Sequence, residues 1–275
     1  MSPFRASAGF TGSWDHFSFA VSGGIGTITF DRPEKLNALT FEVYADLRDL
    51  LFEVEYRDDV SVLVITGSGR GFCSGGDVDE IIGVLLESDS RALLEFTRMT
   101  GAVVVRLRRL PNPVIAGING VAAGAGAVIA LASDLRVMAE SASFYFLFTK
   151  VGLAGADMGS AYLLPRVVGL GRATEMLLLG EKIDARRAES VGLATTVVKD
   201  DKLEARTQEM AAKMAQGPTM AYGATKVLLS RELDMDLASS IEMEAFTQAL
   251  LMTSEDHSEF YEAFTGKRAP EWKGR

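Results

Sequence analysis

Two stretches of small residues carry the clearest chemical potential in this 275-residue chain. The first is Gly69-Arg70-Gly71-Phe72-Cys73-Ser74-Gly75-Gly76-Asp77, and the second is Asn119-Gly120-Val121-Ala122-Ala123-Gly124-Ala125-Gly126-Ala127. Each follows an apolar, β-branched run and leads into a helical pattern. With so little side chain, such junctions serve two purposes: close packing of a helix, or presentation of backbone N–H groups at a helix N-terminus to a negative oxygen. Taken together they suggest an oxyanion hole. A thioester enolate places its charge on one oxygen, and two amides from separate rigid elements can bind it, each worth about 3 kcal/mol in a transition state. A dinucleotide-binding reading of Gly117, Gly120 and Gly124 fits less well. No acidic residue ends a following strand at the required distance, and the chain does not open with a βαβ unit.

The remaining reactive groups are few. One cysteine, Cys73, and two histidines, His16 and His257, are present. That excludes a cysteine-rich zinc site, offers no histidine pair at ligand spacing, and obliges any Ser–His–Asp triad to use a histidine near one end of the chain. Chemistry must therefore rest on carboxylates, hydroxyls or main-chain amides. Lys plus Arg number 28 against 37 Asp plus Glu, a net charge of −9. A nucleic-acid binder that tracks phosphates shows the opposite balance. A lone cysteine fits a reducing compartment. Residues 1–15 have no apolar core of a secretory signal, and the apolar run 121–132 is too short to span a bilayer. A cytoplasmic protein without a membrane partner is expected.

The elements that must position the loops follow from periodicity. Residues 17–21 and 25–30 read as a hairpin around Gly23-Gly24. Thr40 is placed to cap a helix over 41–56, with Leu47, Leu50, Leu51 and Val54 on one face. Buried strands are expected over 60–67, 113–118 and 134–139, and helices over 78–87, 90–109 and 123–132. This alternation predicts an α/β core with a mostly parallel sheet. From residue 157 the pattern is helical, over 160–169, 172–179, 184–190, 202–215, 219–231, 235–252 and 255–264, with a brief strand over 192–198. The expected organisation is a loosely ordered extension over 1–15, an α/β core over 16–200 and a helical region over 201–275, whose Met- and Leu-rich helices read as core or subunit interface.

Five stretches together carry a family likeness: FDRPEKLNALT (30–40), GRGFCSGGDVDE (69–80), NPVIAGINGVAAGAGAVIALASDLRVMAESASF (112–144), KVGLAGADMGSAYLLPRVVGLGRATEMLLLG (150–180) and FTGKRAPEWKGR (264–275). The chain resembles the crotonase superfamily, the enoyl-CoA hydratase/isomerase family, from residue 17 onward. The resemblance implies an α/β spiral of ββα units, a C-terminal helical trimerisation region, and a homotrimer or a hexamer built as a dimer of trimers. It also implies a coenzyme A thioester as substrate, with no permanently bound cofactor and no metal. It assigns the oxyanion amides to Gly76 and Ala125. It places Lys35, Leu36 and Ala38, together with Ser74, Gly75, Asp77, Val78 and Gly124, along the acyl-CoA. By the same likeness, Lys267 or Arg268 is expected at phosphates. Asp77 and Asp79 are expected as loop and CoA-side structure, and Tyr145 and Tyr162 in the core.

The family pattern breaks at two places. Enoyl-CoA hydratases of the familiar kind use two glutamates, whose positions here hold Val128 and Phe148. Hydration needs water gripped between an acid and a base, which two apolar groups do not provide. The acid available is Asp157, in the sequence GLAGADMGSAYLLPR. Its placement resembles the single-aspartate branch that includes the phenylacetate-pathway ring isomerases, with one residue inserted after Gly152. Asp157 is also placed to cap a following helix. The reading is an enoyl-CoA isomerase in which Asp157 is the acid/base. An enoyl-CoA hydratase and a non-catalytic acyl-CoA binder are the alternatives.

Overall fold

Residues 10–274 are described in a computed structural model. The chain opens on a hairpin of β1 (Phe17–Ser22) and β2 (Ile25–Phe30), turned at Gly23 and Gly24, which both take positive φ. Helix α1 (Phe41–Val54) starts at Thr40, whose Oγ1 accepts the Val43 N–H at 3.3 Å. It buries Val43, Tyr44, Leu47, Leu50, Leu51 and Val54, the i, i+3, i+4 stripe of an amphipathic helix.

Three strand pairs follow, each closed by a helix. They are β3 (Val62–Gly67) and β4 (Gly71–Cys73) before α2 (Gly83–Leu86) and α3 (Ser90–Arg109); β5 (Val114–Ile118) and β6 (Val121–Ala123) before α4 (Ala125–Ala132); and β7 (Leu135–Ala139) and β8 (Ser143–Tyr145) before α5 (Ser160–Val168). Next come α6 (Leu170–Leu179), β9 (Ile183–Asp184), α7 (Ala185–Ser190) and β10 (Thr196–Val198). Helices α8 (Leu203–Ala215), α9 (Thr219–Arg231), α10 (Leu237–Leu251) and α11 (Glu255–Thr265) complete the order.

The first strand of each pair joins a six-stranded sheet, β1-β2-β3-β5-β7-β10, parallel except at the hairpin. The second strand of each joins a four-stranded sheet, β4-β6-β8-β9, parallel except at β9. The chain thus winds between two sheets, and the core fills the space between them and the helices. Phe30, Ile65, Phe72, Leu107, Phe144 and Phe146 are fully enclosed.

The main sheet and nearly all helices lie where periodicity placed them. Periodicity did not show the second sheet. Its strands are two or three residues long, too short to show an alternating pattern, and β4 and β6 lie inside the two small-residue loops. The helix expected over 78–87 is a π-type turn, Val78–Ile82, running into the short α2. The strand expected over 192–198 contracts to β10.

Residues 1–9 of the expected N-terminal extension lie outside the described residues. Beyond them, Thr11 donates through N and Oγ1 to Glu53 at 3.0 and 2.8 Å, and Trp14 stacks on Phe17 at 5.4 Å. No helix among the described residues is long and apolar enough to cross a membrane.

Candidate active site

The first loop is held as a short parallel track beside residues 35–39. Ser74 N–H donates to the Leu36 carbonyl (3.0 Å), Leu39 N–H to the Gly75 carbonyl (2.8 Å) and Asp77 N–H to the Leu39 carbonyl (2.9 Å). Ser74 Oγ adds a bond to the Lys35 carbonyl (3.2 Å). In a parallel ladder the residue facing Leu39 turns its own N–H and C=O to the opposite side. That residue is Gly76. Its N–H therefore points away from the track and meets no acceptor among the described residues.

Asp77 locks the track's end. Its Oδ1 accepts the N–H groups of Asp79 and Glu80 at 3.0 and 3.1 Å, and its Oδ2 lies 3.2 Å from Arg32 Nη1. Arg32, also buried, donates to the Ala38 carbonyl (2.9 Å) and to Glu80 Oε1 (2.8 Å). Burial by itself would raise the Asp77 carboxyl. The two amides, Lys35 and Arg32 more than offset it, and the group sits below its usual range. Asp77 is thus a charged cap committed to structure.

The second loop crosses over into α4. Gly124, at φ +50°, sends its N–H to the Tyr145 carbonyl (2.9 Å), and its own carbonyl accepts from Val128 N–H (3.1 Å). Ala125, the first residue of α4, presents its N–H at the positive end of the helix, with no acceptor among the described residues.

The two loops touch through backbone. A Cβ on Gly75 would lie 3.0 Å from the Ala123 carbonyl oxygen and 3.5 Å from Ala125 N. One on Gly126 would lie 2.2 Å from the Cys73 carbonyl oxygen, and one on Gly120 would lie 2.1 Å from that of Arg70. Glycine is required at 120 and 126 because main chain occupies the place of the side chain. The structure thus brings Gly75, Gly76, Gly124 and Ala125 into one neighbourhood, with two unpartnered amides from different elements.

Asp157 stands in the tight turn before α5. Its Oδ1 accepts the Met158 N–H (2.8 Å), and its second carboxylate oxygen has no protein partner among the described residues. The side chain is half-buried, and loss of solvent raises its pKa, partly offset by the Met158 bond. The turn is held by Ser160, whose Oγ accepts from Asp157 N–H (3.1 Å) and donates to the Gly155 carbonyl (2.9 Å). Met158 is buried in left-handed backbone at φ +50°, a conformation costly for a side-chain-bearing residue. The helix-cap role expected of Asp157 does not occur. Gly159, at φ +90°, precedes the first helical residue, and no N–H of α5 reaches the Asp157 carboxylate.

Tyr44 completes the neighbourhood and was not singled out from sequence, because it belongs to no motif. Its hydroxyl lies 3.8 Å from where a Gly76 Cβ would sit. Its electrostatic neighbours include both Cys73 and Asp157. Val128 is fully enclosed and Phe148 nearly so, both within the apolar core.

Other expected positions separate. Lys35 is exposed and paired with Asp79 at 3.2 Å, and this bond and the nearby carboxylates raise its pKa. Leu36 takes left-handed backbone, Ala38 is buried, and Val78 is 67% exposed on the π-type turn. Tyr162 is not a core residue. It is exposed, bonds to Asp234 and lies under the Arg166 guanidinium at 3.6 Å. Arg268 is committed to Glu259 at 2.9 Å, and Lys267 has no ionic partner among the described residues.

Comparison with known proteins decides the family. The Enoyl-CoA hydratase/isomerase family model matches residues 20–275. The chain belongs to the enoyl-CoA hydratase/isomerase family. It is 37% identical over 255 residues to the 1,2-epoxyphenylacetyl-CoA isomerase of Escherichia coli K12, covering 93% of this chain and 97% of that one. A protein of Streptomyces coelicolor A3(2), whose crystal structure carries a provisional enoyl-CoA hydratase designation, is 56% identical with a TM-score of 0.98 over the full length of both chains. The enoyl-CoA hydratase of Bacillus anthracis is 30% identical with a TM-score of 0.89, over 95% of this chain and all of that one. The two-sheet winding is therefore the crotonase fold, as the sequence resemblance implied. Relatives within the enoyl-CoA hydratase/isomerase family are named for isomerisation and for hydration alike, and the family acts on coenzyme A thioesters.

Proposed function

We propose that the protein shifts the double bond of an enoyl-CoA thioester. The carrying observation is the state of Asp157: a half-buried carboxylate with raised pKa, one oxygen held by Met158 N–H and the other free. At the two positions where a hydratase would place its glutamates stand Val128 and Phe148, apolar and buried.

One carboxylate suffices for a 1,3-proton shift. The C2–H bond of a 3-enoyl thioester breaks, its proton passes to Asp157, and the electron pair delocalises onto the thioester oxygen. That oxygen rests on the Gly76 and Ala125 amides, the second aided by the α4 dipole. Asp157 then returns the proton at C4, leaving the double bond between C2 and C3. No water is consumed, and the apolar wall keeps it away. The track of Lys35, Leu36, Ala38, Ser74, Gly75, Asp77 and Val78, with Gly124, holds the coenzyme A portion.

The assembly is a homotrimer or a pair of trimers formed through residues 201–275, with the site in 16–200. The setting is the cytoplasm. The thiol of Cys73, pushed up to about 12 by burial, stays protonated and plays no part as a nucleophile.

Asp157→Asn tests the reading. It is expected to lower turnover of a 3-enoyl-CoA by about 10²–10⁴-fold while acyl-CoA affinity is kept. Unchanged turnover overturns the assignment. The hydratase designations of the relatives make crotonyl-CoA the complementary substrate. Loss of its conjugated thioester absorbance, with no isomerisation of 3-enoyl-CoA, would establish hydration instead. Tight acyl-CoA binding with neither reaction would identify a silent binder.

A further inference from the structure

Against the turn that holds Asp157 lies a cavity of about 720 Å³, bounded by α3 on one side and by Met158, Gly159, α5 and the end of α9 on the other. Its walls are apolar. Gly101, Ala102, Val104 and Val105 come from α3, and Met158 and Leu163 from the opposite side. A Cβ on Gly101 would meet nothing within 4 Å, so this stretch of α3 borders open space. A concavity of this size, with apolar walls and a few polar groups, is the ordinary form of a small-molecule site.

The charged groups around it are of one sign. Arg98, Arg108 and Arg109 line the cavity and no Asp or Glu does, in a chain whose net charge is −9. Arg108 is already engaged, by Asp134 at 2.8 Å and by Ser230 Oγ at 2.8 Å. Asp234, which bonds to Tyr162 on the cavity wall, is paired with Arg166 at 2.9 Å. Arg98 and Arg109 have no ionic or hydrogen-bond partner among the described residues. They stand about 16 Å apart along the α3 axis, at 1.5 Å per residue. A guanidinium offers a planar fork of donors that matches a carboxylate, and it is more weakly hydrated than an ammonium. Free cations at the two ends of an apolar stretch select a ligand with an apolar body and an anionic end.

We propose that this cavity binds an aliphatic chain that ends in a carboxylate. The chain lies along Gly101, Ala102 and Met158, and the carboxylate pairs with Arg98 or Arg109. Neither Gly76 nor Ala125 lines the cavity, and its occupation does not depend on which reaction Asp157 performs. Met158 belongs to this wall and also, through its N–H, holds Asp157 Oδ1. The same chemistry therefore has two sources: a free fatty carboxylate, or the far end of a substrate acyl chain that carries a terminal carboxylate.

The test is calorimetric titration of the full chain, in its native assembly, with decanoate and with decyltrimethylammonium as the cationic counterpart. Decanoate is expected to bind saturably and about 10- to 100-fold more tightly than the cation. Gly101→Leu fills the cavity from an open position and should weaken decanoate by about 10-fold or more. The Arg98→Gln, Arg109→Gln double variant should bring the two ligands to parity. No saturable binding, equal binding of the cation, or a decanoate affinity unchanged in Gly101→Leu overturns the proposal. Arg98 and Arg109 are exposed, so the double variant decides the matter even if Gly101→Leu folds poorly, and an anion preference that survives in it overturns the proposal as well. Competition separates the sources. If the coenzyme A monothioester of hexadecanedioic acid displaces decanoate and hexanoyl-CoA does not, the cavity takes the end of a long acyl chain. If neither displaces it, the ligand is a free carboxylate. Displacement by hexanoyl-CoA puts decanoate at the thioester site and overturns the proposal.

Discussion

In the proposed reaction Asp157 serves as the base. Removal of part of its solvent raises the pKa, and a single backbone N–H, from Met158, returns some of the lost stabilisation to the charged form. The ionised carboxylate is the species that takes a proton, so activity should rise with pH as Asp157 deprotonates. The acid limb of a kcat/KM–pH profile is expected above the ordinary aspartate value of 3.8, and it should vanish from the residual rate of Asp157→Asn. A limb at or below 3.8 would show that the acid is fully solvated in the working enzyme. At this scale the sequence was partly legible. The unpartnered amides of Gly76 and Ala125 lie in the two loops that the sequence singled out, because flanking glycines advertise where main chain is exposed. Asp157 stood out as an acid where the two glutamates of the family pattern are missing. Its second expected role, as a helix cap, was lost to Gly159, whose left-handed conformation starts α5 two residues later. Tyr44 was illegible, since its meaning comes wholly from neighbours that the fold brings to it from distant stretches.

At the level of elements, the decisive contact is that of β4 with the start of α4. Replacing Gly126 by alanine would put a methyl group 2.2 Å from the Cys73 carbonyl oxygen, and neither backbone has slack to yield. Gly126→Ala is expected to lose about 1–3 kcal/mol in urea unfolding, with turnover falling as the Ala125 amide is displaced. Gly101, inside α3, meets nothing within 4 Å. Gly101→Ala should gain about 0.5–1 kcal/mol, which makes it the control for the general effect of removing a glycine. Short strands such as β4, β6 and β8 escape periodicity because three residues hardly complete one alternation. Most of their residues are also buried, so the in–out pattern has no polar half to reveal it.

At the scale of the whole molecule, the last helices leave large apolar side chains exposed. Leu229, Leu237, Phe246, Leu250 and Phe264, on α9, α10 and α11, are each at least 60% exposed, and a surface of this kind marks an interaction face. If the proposed trimer forms through these helices, Phe246→Asp is expected to shift it toward monomers in analytical ultracentrifugation, and an unchanged sedimentation profile would place the subunit contact elsewhere. The tail reinforces α11. Arg268 grips Glu259, Glu271 N–H reaches the same carboxylate at 2.6 Å, and Lys273 N–H reaches Asp256 at 2.6 Å. The hydrogen bond from Arg268 is the main cause that brings the Glu259 pKa down to about 2. A depressed carboxylate contributes stability above its unfolded pKa and loses it only as pH falls through the folded one, so the tail should stay fastened until strongly acid conditions.

The backbone contact between Gly126 and Cys73 has a consequence for how this scaffold diversifies. A calliper made of main chain has no rotamers to adjust, so its opening is set by the backbone contact and not by the side chains around it. On the proposed reading, side-chain substitutions around the two loops would alter the reaction while leaving the pair of amides in place.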